Sequence, residues 1–281
     1  MIPRANIVAW RNQFPWPTDE QVEQDLVLSR AVIDIFSEPI LSSSLAFRGG
    51  TALHKLFFKP AGRYSEDIDL VQVHSGPAGA VMDALRARLD PWLGKAKWKQ
   101  GEGRVTLLYR FDSEVPPITK LRLKVEINTR EHFSVLGFKK HPLKLQNAWF
   151  SGDAEINTYA LEELLATKLR ALYQRKKGRD LFDLAFALER FPSLNKEKVA
   201  SCFVQYMEHE NLSISQDEFL ENIRDKISDR AFCEDIEPLL SFDLVQSHIS
   251  FLVQGRGRQL SMDAERAFQM IRESFLKHLP C

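Results

Sequence analysis

The chain has 281 residues, of which 44% are hydrophobic and 27% charged. That is the balance of a soluble globular protein with material for one large domain or two ordinary ones, and it excludes collagen-like, coiled-coil and disordered classes. Lysine plus arginine equals aspartate plus glutamate at 38 each, so net charge does not signal a polyanion partner, and any such partner must use a local patch. Cys202, Cys233 and Cys281 form no CxxC pair, which gives neither a disulfide framework nor a zinc site. No run approaches the length of a membrane span, and the N-terminus lacks the regions of a signal peptide. The expected setting is a reducing cytoplasm, with no membrane.

In chain order, residues 18–37 predict a helix capped by Thr18 or Asp19, with Val22, Leu26, Ile33 and Phe36 on one stripe. Leu45-Ala46-Phe47 reads as a buried strand that ends at Gly49-Gly50, followed by a short helix over 51–58. Residues 59–63 break it. Ile68, Leu70, Val71 and Val73 mark a strand whose alternation places Asp67 and Asp69 on the opposite face. A helix follows over 77–93, then strands over 105–111 and 121–128. In the second of these, Leu121, Leu123, Val125 and Ile127 alternate with Arg122, Lys124, Glu126 and Asn128. From about residue 159 strand patterns stop and helical patterns dominate, over 161–172, 179–190, 195–209, 215–227, 232–240 and 261–277. The boundary is drawn near 150–159, around Ser151-Gly152-Asp153, giving lobes of residues 1–157 and 158–281. The fold class is α+β, with a mixed sheet first and a mostly helical lobe second.

The segment from Arg48 to Leu70 carries the chemistry. Gly49 and Gly50 let the backbone turn sharply and approach a phosphate. Thr51, at a helix start, offers a hydroxyl and free N–H groups to phosphate oxygens. Asp67 and Asp69, two apart on a strand, project to one side and can share hard cations such as magnesium or manganese. Glu126 is the candidate third carboxylate. Together these features resemble the nucleotidyltransferase superfamily related to DNA polymerase β. Lys168 falls within the apolar stripe of its helix, so it must snorkel, pair internally or neutralise an anion such as a triphosphate. Asp180 and Asp183 share a face of the next helix. Asp180 suits a cap, while Asp183, among apolar neighbours, suits a partner for Lys168 or a base. Arg175, Lys176, Lys177 and Arg179 form a basic cluster suited to an RNA backbone. A second cluster includes Arg86, Arg88, Lys95, Lys97, Lys99 and Arg104, with solvated charge as its simplest explanation.

Arg48-Gly49-Gly50-Thr51-Ala52-Leu53, residues 63–70, Lys124-Val125-Glu126-Ile127-Asn128 and residues 161–184 resemble the four motif regions of the AbiEii/AbiGii nucleotidyltransferase toxins. The resemblance spans about residues 45–190. It implies a polymerase β-like lobe and a helical lobe with the active site in the cleft between them. It also implies magnesium and a nucleoside triphosphate, and membership of a bacterial toxin–antitoxin or phage-defence system with a cognate antitoxin. Nucleotide transfer to an RNA acceptor such as the tRNA 3′ end is implied as well. By carry-over, Gly50 and Thr51 bind phosphate, Asp67 and Asp69 bind metal, and Lys168 and Asp183 complete the site. Ser65 matches a family serine suited to phosphate contact or to a turn. A small-molecule acceptor such as an antibiotic, a metal-dependent nuclease and a catalytically silent nucleotide-binding protein remain alternatives on the residues alone.

Overall fold

The computed structural model describes residues 2–246, 252–256 and 259–280. The chain forms two compact units, Met1–Tyr159 and Ala160–Cys281.

The first unit opens with α1 (Arg4–Arg11) and α2 (Asp19–Phe36). Thr18 caps α2 in a capping box, in which its side chain accepts from the Gln21 N–H and Gln21 reaches back to the Thr18 N–H. After α3 (Pro39–Ser44), strand β1 (Leu45–Arg48) leads into α4 (Gly49–Ala52), which continues as a π-helical turn over Leu53–Phe57. Then come β2 (Asp67–Gln72), α5 (Gly79–Leu93), β3 (Lys97–Gly101), β4 (Arg104–Asp112), β5 (Lys120–Asn128), β6 (Lys139–Gln146) and β7 (Ser151–Thr158). These strands make one mixed sheet in the order β3-β4-β5-β2-β1-β7-β6. β2 runs antiparallel to β1 and parallel to β5. Leu123, Val125 and Ile127 are fully buried on one face of β5, where α2 packs. Each such side chain stabilises the fold by roughly 1.5–3 kcal/mol. The alternation of β5 thus commits its other face, with Lys124 and Glu126, away from the core.

Sequence patterns do not reveal α1, β3, β6 or β7. Every residue of β3 is exposed, so no apolar alternation marks it, and pairing with β4 makes it a strand. β6 contains Pro142 and three lysines, features tolerated on the outermost strand of a sheet, where they also discourage further pairing. Ser151-Gly152-Asp153 begin β7, which pairs with β6 along its whole length. Tertiary hydrogen bonding overrides the turn-like composition there.

The second unit contains α6 (Leu161–Gln174), α7 (Gly178–Arg190), α8 (Lys196–His209) and α9 (Gln216–Ile227). Leu164, Leu165, Leu169 and Leu172 are buried, as the helical stripe requires. Two expectations are corrected here. Residues 232–240 are not one helix: α10 (Arg230–Glu234) is followed by a 3-10 turn, Glu237–Leu239, that contains Pro238, which cannot donate within a helix interior. Beyond the single turn α11 (Phe242–Leu244), strands β8 (Val253–Arg256) and β9 (Gln259–Met262) pair antiparallel, so strands do not stop near residue 159, although helices dominate this unit as expected. Only then does α12 (Ala264–Ser274) begin, capped by Asp263. Cys202 is buried, Cys233 is partly exposed and both are free; Cys281 lies outside the described residues. No described helix is long and apolar enough to cross a membrane.

Candidate active site

Strand register brings the first group of candidate residues together. Asp67 lies opposite Lys124, and Asp69 lies opposite Glu126, across the β2–β5 pair. Asp69 also faces Arg48 across the β1–β2 pair. Residues in register share a sheet face, so Asp67, Asp69 and Glu126 form one carboxylate cluster on neighbouring strands. The Lys124 ammonium sits within it, 2.8 Å from Asp67 Oδ2 and 3.8 Å from Glu126 Oε2. Burial pushes the Asp69 carboxyl above its ordinary range, and the Asp67 charge adds to that, against the pull of Arg48 and Lys124. Burial draws the Lys124 ammonium down, but Asp67 outweighs it and leaves its affinity for a proton raised.

Among the described residues no group of three or more His, Cys, Asp or Glu side chains is set as a preformed metal site. The donor chemistry nevertheless fits a hard divalent cation. Carboxylate oxygens are the ligands magnesium and manganese prefer, and crowding that raises Asp69 is relieved by positive charge. Asp67, Asp69 and Glu126 would hold such an ion once Lys124 releases Asp67.

The glycine turn is built around these carboxylates. Gly49 has φ +79°, and a β-carbon there would lie 2.5 Å from Asp69 Oδ2. Only glycine combines that conformation with that approach. A β-carbon on Gly50 would lie 2.5 Å from a guanidinium nitrogen of Arg63. The Thr51 hydroxyl donates to the Asp67 carbonyl at 2.6 Å, and it is 2.8 Å from Ser65 Oγ. With its single proton directed to Asp67, Thr51 must accept from Ser65. Thr51 is buried, so its side chain ties the turn to the start of β2.

In the second unit, Lys168 Nζ lies 2.8 Å from Asp180 Oδ1 and 2.9 Å from Asp183 Oδ2. All three side chains are buried. Arg175 adds two bonds to Asp180, at 2.7 and 2.9 Å. Burial works to raise Asp180, but Lys168 and Arg175 overcome it and hold the carboxyl below its ordinary range. Both acidic candidates therefore meet Lys168, and Asp180 is an ion-pair partner as well as a first-turn residue of α7. The basic cluster is neutralised locally. Arg175 meets Asp180, Lys176 meets Asp229, and Lys177 and Arg179 both meet Asp235.

A family model described as nucleotidyl transferase AbiEii toxin, type IV TA system, matches residues 30–252. The chain belongs to the AbiEii nucleotidyltransferase toxin family. No curated protein matches the chain in sequence. Among solved structures, it is similar to MenT4, a nucleotidyltransferase toxin from Mycobacterium tuberculosis H37Rv. The two share 17% identity over 100% of both chains, with a TM-score of 0.59. A candidate nucleotidyltransferase from H. pylori aligns at 16% identity over 92% of this chain and 93% of its own, with a TM-score of 0.53. At these identities the structures speak for the fold, which is that of nucleotidyltransferases.

In this AbiEii-family nucleotidyltransferase, three features of the carboxylate region escape sequence reasoning. Lys124 reads there as one more polar residue on an alternating strand, because only register puts its ammonium against Asp67. Arg63 is almost wholly buried and donates to the Tyr64 carbonyl at 2.9 Å; its motif gives no sign of burial. Arg48 pairs with Glu131 at 2.5 Å across 83 residues of sequence, a distance that no local pattern spans.

Proposed function

We propose that this toxin-family enzyme is a metal-dependent nucleotidyltransferase that transfers a nucleotide from a nucleoside triphosphate to an RNA acceptor, such as the 3′ end of tRNA, in the cytoplasm. The observation that carries the reading is the Asp67–Asp69–Glu126 cluster, set against a glycine turn whose close approach to Asp69 excludes any other residue. In this reading, Asp67, Asp69 and Glu126 would hold magnesium or manganese, which would supply positive charge to screen the triphosphate. The residues of the chain then divide the remaining work. Gly49 and Gly50 let the backbone approach the phosphates. Thr51 and Ser65 fix the turn against β2, with Ser65 the more accessible hydroxyl. Asp67 and Asp69 orient the acceptor hydroxyl and the α-phosphate. The acceptor oxygen passes its proton to a carboxylate of the cluster as it bonds to the α-phosphorus, and pyrophosphate leaves. Lys168, Asp180 and Asp183 act as a positioning unit for α6 and α7. The charge of Lys168 can serve a triphosphate only by exchanging a carboxylate partner. A cognate antitoxin is the expected protein partner.

The test incubates the chain with each of four α-labelled nucleoside triphosphates, total cellular RNA and magnesium, beside an Asp67→Ala/Asp69→Ala variant. The expected result is label on a tRNA-sized band from one or more triphosphates, abolished in the variant and by a chelator. Label that persists in the folded variant would sink the metal assignment. Label on no RNA with any triphosphate would sink the RNA acceptor.

A further inference from the structure

The cluster of carboxylates does not end the polar face of the sheet. Register continues it outward across two more strands. Lys99 lies opposite Thr106, Thr106 opposite Glu126, and Glu126 opposite Asp69. A second row joins Lys97, Leu108, Lys124 and Asp67. With strands about 4.8 Å apart, Lys99 stands about 10 Å from Glu126 and about 14 Å from Asp69, measured across the sheet. Arg104 and Arg110 lie on the same face of β4, since they pair with Asn128 and Arg122 of β5. The opposite face of β4 carries Val105, Leu107 and Tyr109, all buried. At β4 and β5 the sheet is therefore covered on one side, while the other side carries exposed and half-buried side chains.

Lys97, Lys99, Arg104 and Arg110 are exposed. Among the described residues none of the four forms an ion pair. Further along, Arg122 meets Glu66 only at 3.7 Å, and both are well exposed. Exposed pairs of that kind stabilise by about 0–1 kcal/mol and give way readily to a phosphate. The Arg175–Arg179 cluster differs in that Arg175 rests on buried Asp180, and Lys177 and Arg179 on the mostly buried Asp235. Leu108 is the single apolar side chain this face offers among the described residues of β3, β4 and β5. A protein partner needs an apolar centre to its interface. A row of unpaired cations without one suits a phosphodiester backbone, whose affinity comes from displaced counterions.

We propose that the open face of β3, β4 and β5 is the track on which the RNA acceptor lies, with its backbone on Lys97, Lys99, Arg104 and Arg110 and its 3′ end directed at the carboxylate cluster. The proposal rests on the RNA-acceptor reading above. It also explains how a chain with no net charge binds a polyanion: the cations are concentrated on one sheet face, while acids elsewhere balance them.

The test measures binding of tRNA to the full chain over a salt series, for the wild type and for Lys97→Ser/Lys99→Ser/Arg104→Ser/Arg110→Ser. The four sites are exposed, and a single Lys99→Glu variant covers the case in which four changes weaken the β3–β4 pair. Each lost single-strand phosphate contact removes about 0.7 from the slope of log affinity against log salt, so loss of four removes about 3. The quadruple variant is expected to bind tRNA at least about tenfold more weakly near 0.15 M salt, with triphosphate binding unchanged. Lys99→Glu should weaken RNA binding in the same direction. Arg175→Ser/Lys176→Ser/Lys177→Ser/Arg179→Ser should keep the wild-type slope. A wild type that binds tRNA, with sheet-face variants of the same affinity and slope, overturns the track and leaves the RNA reading standing. A wild type that neither binds nor labels RNA removes the acceptor reading, and the track falls with it.

Discussion

Replacing Lys168 with methionine tests whether the buried triad is structural. The substitution preserves the volume and length of the side chain and removes one charge. Asp180 keeps its two bonds from Arg175, whereas Asp183 loses an ammonium at 2.9 Å. Both carboxylates have no solvent exposure, so water cannot replace the lost partner. Removing one member of a buried ion pair destabilises by about 3–5 kcal/mol, or a fall of about 10 °C in melting temperature for a chain of this size. The pH dependence gives a second readout. The folded Asp180 carboxyl lies below its ordinary range, so its contribution is present above the unfolded pKa and disappears as pH falls through the folded one. In the variant, the carboxylates can escape their penalty by taking up protons. The gap between wild type and variant should therefore be widest near pH 8 and narrow toward pH 4. Thermal unfolding followed by circular dichroism at several pH values measures both effects. A Lys168→Met chain that melts within about 2 °C of wild type at pH 7.5, yet binds triphosphate weakly, would refute the structural role and return Lys168 to phosphate neutralisation.

Two further predictions concern the first unit. Burial pushes the Glu23 carboxyl from 4.5 to about 7, so the folded state binds the extra proton between those values and stability falls as pH rises through that window. Glu23→Gln keeps an acceptor for the Glu114 N–H and should remove that slope, with a gain of up to about 3 kcal/mol above pH 7; chemical denaturation at pH 5 and pH 8 reads it, and equal slopes for the two chains would contradict the buried charge. Gly49→Ala places a methyl at φ +79° and 2.5 Å from Asp69 Oδ2, so it should destabilise by about 1–3 kcal/mol and abolish label transfer by displacing the carboxylate. A variant with wild-type transfer would show that the turn need not approach Asp69.

Much of the carboxylate site was legible because its signals are local. Alternation along β2 and β5 is a property of consecutive residues, so the faces of Asp67, Asp69 and Glu126 could be read directly. The apolar stripe of α6 likewise showed Lys168 to be anomalous, since a lysine there must find a partner. The aspartates of α7 were visible too, but which one served Lys168 was not: they share a helix face, and sequence spacing cannot measure how far a lysine reaches. The structure joins it to both. β3 and β7 were hidden for a related reason, because their strand character comes from partners rather than from composition.

By itself, then, the sequence determined the family, the α+β class and the face on which each acidic residue stands, all consequences of period and of residue type at fixed spacing. Tertiary structure alone decided which strand lies beside which, and therefore that Lys124 stands among the carboxylates, that the cations at 175–179 rest on aspartates, and that those of β3 and β4 do not. Charge is a property of a residue, but its availability depends on what lies within about 4 Å of it, and that distance is set by contacts between segments far apart in the chain.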